Sequence, residues 1–381
     1  MIKRNLFLLI AGITLAAAGT VTGIFYFANN SSSGGVEAGV SAVNEDHVYE
    51  ETAFNAAENY LTEIVLTEET SPVDPLILRL IEADVILSPY NFSIVPEKIR
   101  PGDPVTIGFG VAIKYADLII NGNRAARSIG FTVPAEDGYP SFNAAVIGVP
   151  TTVAYGSAVI RITDTKDFVW EFPVVMEERV FLSEMLYVTP AMSDLATTPD
   201  PQLAIEADRL WQILSTTGNQ VYHTGEFIMP VGSTRKTSMF GARRVNVYPD
   251  GYRVTNIHAG VDIGAQIPGE SFLGADVYAC GRGRVVLSRS RIISGNTVII
   301  EHAPGIYSVY YHLDSLIAEE GQIVETGSLI GYVGTTGFST GPHLHWELRV
   351  STENTDPESI LIRPLIDKNS IIGRLYGIQD M

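Results

Sequence analysis

The chain has a single cysteine, Cys280, in 381 residues, so an intramolecular disulfide is excluded. Its stability must come from packed cores. Cys280 stands too far along the chain to be a lipid-modified N-terminus, and it reads as a small core residue. Positive charge is also scarce: 25 Lys and Arg face 43 Asp and Glu, a net of −18. That excludes nucleic acid as a partner, because binding phosphate needs a basic surface. It disfavours electrostatic docking on anionic lipid as well. Histidine is rare too, with seven in all, and four of the seven fall in three short segments.

The N-terminus holds the one long apolar run. Lys3 and Arg4 precede an uncharged stretch over residues 6–28, which is 23 residues. At about 1.5 Å per residue a helix of that length spans about 34 Å, enough for a hydrocarbon core of about 30 Å. Residues 1–28 therefore read as an export signal retained as an anchor, with Lys3 and Arg4 on the cytoplasmic side. The rival is cleavage after Ala16-Ala-Ala18, which gives a periplasmic or secreted protein. Residues 29–87 begin with Asn29-Asn-Ser-Ser-Ser-Gly-Gly35 and continue acidic and aperiodic, the pattern of a linker.

From 88 to 180 the chain reads as short strands: 105–111, 116–120, 144–147, 158–162 and 168–172, divided by turn signals such as Asn121-Gly122. Regular short strands predict a β-sandwich of immunoglobulin-like kind. Residues 181–224 read as a helical connector, with Asp200 as cap and Pro201 in the first turn. Its apolar face of Leu203, Ala207, Leu210, Trp211 and Leu214 is expected to pack between two β domains. Residues 225–365 again read as antiparallel strands, rich in glycine, and 366–381 as a tail. The fold class expected is mostly β.

The informative histidines lie in His258-Ala-Gly-Val-Asp262, Tyr310-Tyr-His312-Leu-Asp314 and Thr340-Gly-Pro-His343-Leu-His345. Residues i and i+2 of a strand point to one side, so His343 and His345 can enter one pocket. His258 and Asp262, four apart, also share a face. Two imidazoles and one carboxylate are a full protein ligand set for a catalytic zinc. Either motif alone is weak, since His-x-His pairs and His-x-x-x-Asp pairs arise often by chance; their conjunction is the signal. Tyr252, ahead of His258, is a candidate donor to an oxyanion. His223 and His47 have no companions in sequence and read as surface residues.

These three motifs together resemble the lysostaphin/LytM-type zinc metallopeptidases (peptidase family M, number 23). Phe240-Gly241-Ala-Arg243, Val277-Tyr-Ala279, Gly295-Asn-Thr-Val-Ile-Ile-Glu-His302 and Gly331-Tyr-Val-Gly-Thr-Thr-Gly337 extend the resemblance over about residues 225–360. Residues 264–274 are longer than the resemblance leads one to expect, and Cys280-Gly-Arg282 replaces its usual small or Pro residues. The resemblance implies Zn²⁺ held by His258, Asp262 and His345, with His312 and His343 catalytic and His302 structural. It implies hydrolysis of the peptide cross-links of bacterial peptidoglycan, in the cell envelope. Two other classes compete: a non-catalytic wall-binding activator of another hydrolase, and a scaffold in which the sandwich is the functional part. Relatives of the first kind lose ligands, whereas this chain keeps all three and both further histidines.

Overall fold

The computed structural model describes residues 91–136 and 138–376. The expected membrane segment 1–28, the linker 29–87 and His47 lie outside the described residues. Among the described residues no helix is long and apolar enough to cross a membrane. The chain is mostly β, as expected.

The N-terminal part of the described chain is two sheets facing one another. One holds Phe92–Val95, Pro104–Phe109, Phe142–Gly148 and Phe131–Val133 in that order; the other is five-stranded and centred on Ala158–Asp164. Val105, Ile107, Phe109, Leu118, Ile147, Ile160 and Ile162 fill the space between them. The Asn121-Gly122 signal makes its hairpin: both residues have positive φ, 50° and 78°, and join Ile113–Ile120 to Asn123–Ile129. Only a mirror-image turn matches the right-handed twist of the strands it connects, and Asn-Gly favours it.

The C-terminal part is built on a central antiparallel sheet. Its order is Lys236–Ser238, Val261–Ile263, Leu344–Val350, Ile306–Leu313, Gly295–Ala303, Gly283–Arg291 and Ile323–Val324. Alternation sorts its side chains. Leu344, Trp346, Leu348 and Val350 are wholly buried on the core face. Their neighbours His345, Glu347 and Arg349 point to the opposite face.

Residues 181–224 contribute a strand, Ser183–Tyr187, paired in parallel with Arg243–Val247, and two helices, α1 (Pro190–Thr197) and α2 (Pro201–Ser215). Asp200 caps α2 by accepting from the Gln202 amide at 2.8 Å. The placement of α2 differs from expectation. Leu210, Ile213 and Leu214 pack on Leu287, Ile299, Tyr307, Val309 and Tyr311, which belong to the open face of the central sheet. The sheet's second face had exposed apolar side chains, and the helix covers them instead of filling a gap between domains.

Residues read as a tail also differ. After a short helix, α3 (Ser359–Ile362), inside the expected peptidase domain, the residues read as a tail hold α4 (Lys368–Leu375). Asp367 caps α4 by accepting from the Ser370 amide at 3.1 Å. Eight residues are too few for a strong periodic signal, but Ile371, Ile372 and Leu375 are fully buried. They join one core with Val133, Phe142, Ala144 and Val146 of the sandwich and with Trp346, Leu348 and Val350 of the central sheet. Polar contacts reinforce it: Thr106 Oγ1 donates to the Leu365 carbonyl at 2.5 Å, and Arg179 pairs with Asp356 at 2.5 Å.

Candidate metal centre and its cleft

The strand Val261–Ile263 pairs with Leu344–Val350 so that Asp262 stands opposite His345, and Tyr311 stands opposite His345 on the other side. His258 precedes this strand. Between them Gly260 passes so close to the neighbouring strand that an added Cβ would lie 2.1 Å from the Trp346 carbonyl oxygen. Only glycine fits there, and its lack of a side chain lets the loop turn His258 back over Asp262.

The result is a compact triangle. His258 Nε2 lies 3.1 Å from Asp262 Oδ1, His345 Nδ1 lies 2.7 Å from the same oxygen, and the two ring nitrogens are 3.0 Å apart. All three residues are buried. These are the residues of one described cluster able to offer three ligand atoms to a single ion. The hydrogen bonds fix the tautomers. His258 Nδ1 donates to the Met239 carbonyl at 2.8 Å, and His345 Nε2 donates to Glu347 Oε1 at 2.9 Å. Neutral rings so bonded aim two lone pairs at each other and at a carboxylate. That arrangement repels itself unless a cation sits among them, so the residues fit a metal ion. Without one, a proton takes the place. Burial alone would lower the affinity of His345 for it, but hydrogen bonds to Asp262 and Glu347 outweigh burial and raise His345 to about 9.

A second layer holds the triangle. Arg244 donates to Asp262 Oδ2 at 3.1 Å and to Glu184 Oε1 at 2.7 Å, while Ser238 donates to Glu184 at 2.6 Å and sits 3.1 Å from His258 Nδ1. Arg349 donates to Glu347 at 2.6 Å. Burial would raise the Glu347 carboxyl, but Arg349 and His345 overcome this and hold it down at about 2. Tyr311 lies flat on His345, ring centres 5.4 Å apart and planes 7° apart.

The other two expected histidines are beside the triangle. His312 Nδ1 donates to the Thr336 carbonyl and His343 Nδ1 to the Gly341 carbonyl, each at 2.8 Å. In each ring Nε2 is thus left for a partner other than the backbone. The two rings are 5.0 Å apart, and His343 Nε2 is 3.5 Å from Asp262 Oδ1. Burial, followed by the neighbouring His343 and His345, lowers His312 to about 3 and keeps it neutral. His312 also has φ of 63°, a left-handed conformation that a residue with a Cβ seldom adopts. Its N–H donates to the Ser294 carbonyl at 2.9 Å, which anchors that conformation.

The remaining sequence readings divide. His302 is buried, bonded to the Arg282 carbonyl and to Ser308, both at 2.8 Å. Cys280 is fully buried. His223 is not a lone surface residue: it is half-buried, with its ring 4.4 Å from Phe227 and 6.1 Å from His302. Tyr252 is not among the residues of the cleft, whereas Tyr248 is. Glu184, Ser238, Arg244, Glu347 and Arg349 were not anticipated. For Glu347 and Arg349 a signal existed, since they continue the alternation of His343 and His345.

A buried His–Asp–His triangle with two further imidazoles beside it, on one face of an antiparallel sheet, defines a metallopeptidase type of site. Residues 256–357 match the family model described as Peptidase family M23, a zinc-dependent family, and the resemblance to the lysostaphin/LytM type stands. Among curated proteins, the DD-carboxypeptidase/endopeptidase Mpg of Neisseria meningitidis is 34% identical over 146 residues, 38% of this chain and 31% of that protein. The peptidoglycan DD-endopeptidase ShyA of Vibrio cholerae is 40% identical over 122 residues, 32% of this chain and 26% of that one. The chain thus spans less than a third of these relatives' lengths. A crystal structure of a putative peptidase M23 from Pseudomonas aeruginosa aligns with 68% of this chain and 93% of its own, at 20% identity and a TM-score of 0.46.

Proposed function

We propose that the chain is a zinc-dependent endopeptidase that hydrolyses peptide bonds of bacterial peptidoglycan. The convergence of His258, Asp262 and His345 into one buried triangle, with His312 and His343 against it, carries this reading. His258, Asp262 and His345 are the ligands. A zinc ion held there supplies Lewis acidity, polarising the scissile carbonyl and making hydroxide available near neutral pH. His312 and His343 both hold Nδ1 on a backbone carbonyl, which leaves Nε2 of each ring to face the triangle. One takes a proton from the attacking water and the protonated ring hands it to the leaving amine. Glu347 and Arg244 hold the ligands in orientation. The name of the ShyA relative, a peptidoglycan DD-endopeptidase, supports peptidoglycan as the substrate, and with that substrate the cell envelope as the place. Residues 1–28 are proposed to export the chain and to remain as an anchor, residues 88–180 to be an immunoglobulin-like sandwich, and 225–365 the peptidase domain.

The test is digestion of purified cell wall by the full chain, with fragments analysed by mass. New amino termini in the stem peptides or bridges, lost on chelation and restored by zinc, are expected. Intact wall under zinc-replete conditions, with the protein bound to it, would leave the activator reading in its place.

A further inference from the structure

The triangle opens into a cavity of about 220 Å³ whose far wall is α2. The helix is not part of the matched segment. Leu210 and Leu214 of α2 line this cavity while being only 3% exposed against the sheet, so the wall is fixed. Trp211, Tyr248 and Phe338 add to the apolar lining.

The charges in this cavity are distinctive. Glu347 is matched by Arg349 and His345, and Arg244 by Glu184 and Asp262. The Glu206 carboxylate accepts from the Ile292 amide at 2.9 Å. Arg291 has no such match. It donates to the Ser294 hydroxyl at 2.9 Å, to the Glu206 backbone carbonyl at 3.3 Å and to the Tyr311 hydroxyl, all neutral groups. Among the described residues it pairs with no carboxylate. A guanidinium has more N–H groups than three acceptors occupy, and its planar fork suits a carboxylate. Glu206 lines the same cavity, but its carboxylate is turned to the Ile292 amide, so Arg291 is a half-buried cation with no carboxylate in ion-pair contact and suits an anionic group of a ligand.

We infer that Arg291, with the apolar wall of α2, forms a subsite for a carboxylate carried by the substrate near its scissile bond. This rests on the hydrolase reading above and narrows it: the substrate is an acidic peptide, and the bond cut lies close to a free carboxylate. Two sources share that chemistry, a terminal α-carboxylate and the side-chain carboxylate of an amino diacid. An Arg291 serving only to pin α2 to the turn at Ile292 is the competing role.

Two pairs of synthetic stem peptides test it with the zinc-loaded full chain. One pair ends in D-alanine as free acid or carboxamide; the other carries diaminopimelate with its side-chain carboxylate free or amidated. In one pair the acid should be cleaved with kcat/KM roughly tenfold to hundredfold above its amide, the range of a charge-assisted bond. Arg291→Gln should bring that ratio to about one, and Arg291→Lys should retain part of it. The pair that responds identifies the source. Calorimetry of the same peptides with metal-free protein should show tighter binding of the acid, lost in Arg291→Gln. A ratio that survives Arg291→Gln, or no acid preference in either pair, overturns the subsite while leaving the hydrolase intact. A binding preference without cleavage of any peptide overturns the hydrolase and keeps the subsite.

Discussion

Glu347 accepts the Nε2 proton of His345 at 2.9 Å from a position two residues along the same strand. One alternation of the chain thus supplies both a candidate ligand and the group that orients it. Glu347→Gln should weaken zinc binding by roughly tenfold to hundredfold, the usual loss when such a partner is removed. Competition against a chelator of known affinity measures this. Unchanged zinc affinity would make the contact incidental.

His258→Ala, Asp262→Ala and His345→Ala should each lose stoichiometric zinc on metal analysis. His312→Ala and His343→Ala should keep it yet lose hydrolysis by roughly a hundredfold or more. If either of the last two loses metal as readily as His345→Ala, the division of roles is wrong.

The left-handed backbone of His312 gives a stability test independent of zinc. Glycine adopts φ of 63° freely and alanine does not. His312→Gly should therefore exceed His312→Ala in unfolding free energy by about 1 kcal/mol, the reverse of the order in a helix or strand. Denaturant titration of the two metal-free variants decides it, and an alanine variant at least as stable as the glycine variant would refute the strain.

His302 sets part of the acid limit. Burial, with His223 adding and the Arg282 carbonyl opposing, lowers it to about 3. The unfolded chain takes up this proton below about 6.5, and the folded chain does not until about 3. Its contribution is complete above pH 6.5 and is lost as pH falls toward 3. Between pH 7 and 5 that is about 2 kcal/mol. In chelator, the drop in unfolding free energy over this interval should be smaller for His302→Gln than for the natural protein. Equal drops would place the acid sensitivity elsewhere.

The end of the chain should matter to the whole. Leu375 is fully buried in the core shared by the sandwich and the central sheet. Leu375→Ala should cost about 2–5 kcal/mol. A change under about 0.5 kcal/mol, the level of a surface substitution, would show the helix to be loosely attached.

What could be read from sequence was what spacing carries. His258 with Asp262, and His343 with His345, announce themselves because i+4 and i+2 fix a common face. The same rule reached Glu347 and Arg349, but their residue types suggest a solvated strand end until burial is known. Arg244, Glu184 and Ser238 were out of reach. Glu184 meets Ser238 across 54 positions, and such distances carry no periodicity. The strands of the sandwich were legible from β-branched runs and turn residues. The seat of α2 was not: an apolar helix face states that something must cover it, not which sheet does.

The single core running from Val133 and Phe142 through Ile371 to Trp346 has a mechanical meaning. The sandwich is not a tether from which the central sheet swings. The two turn as one rigid piece, at an angle set by the core they share. Every surface of the sandwich therefore stands at a set distance and pitch from the His–Asp–His face.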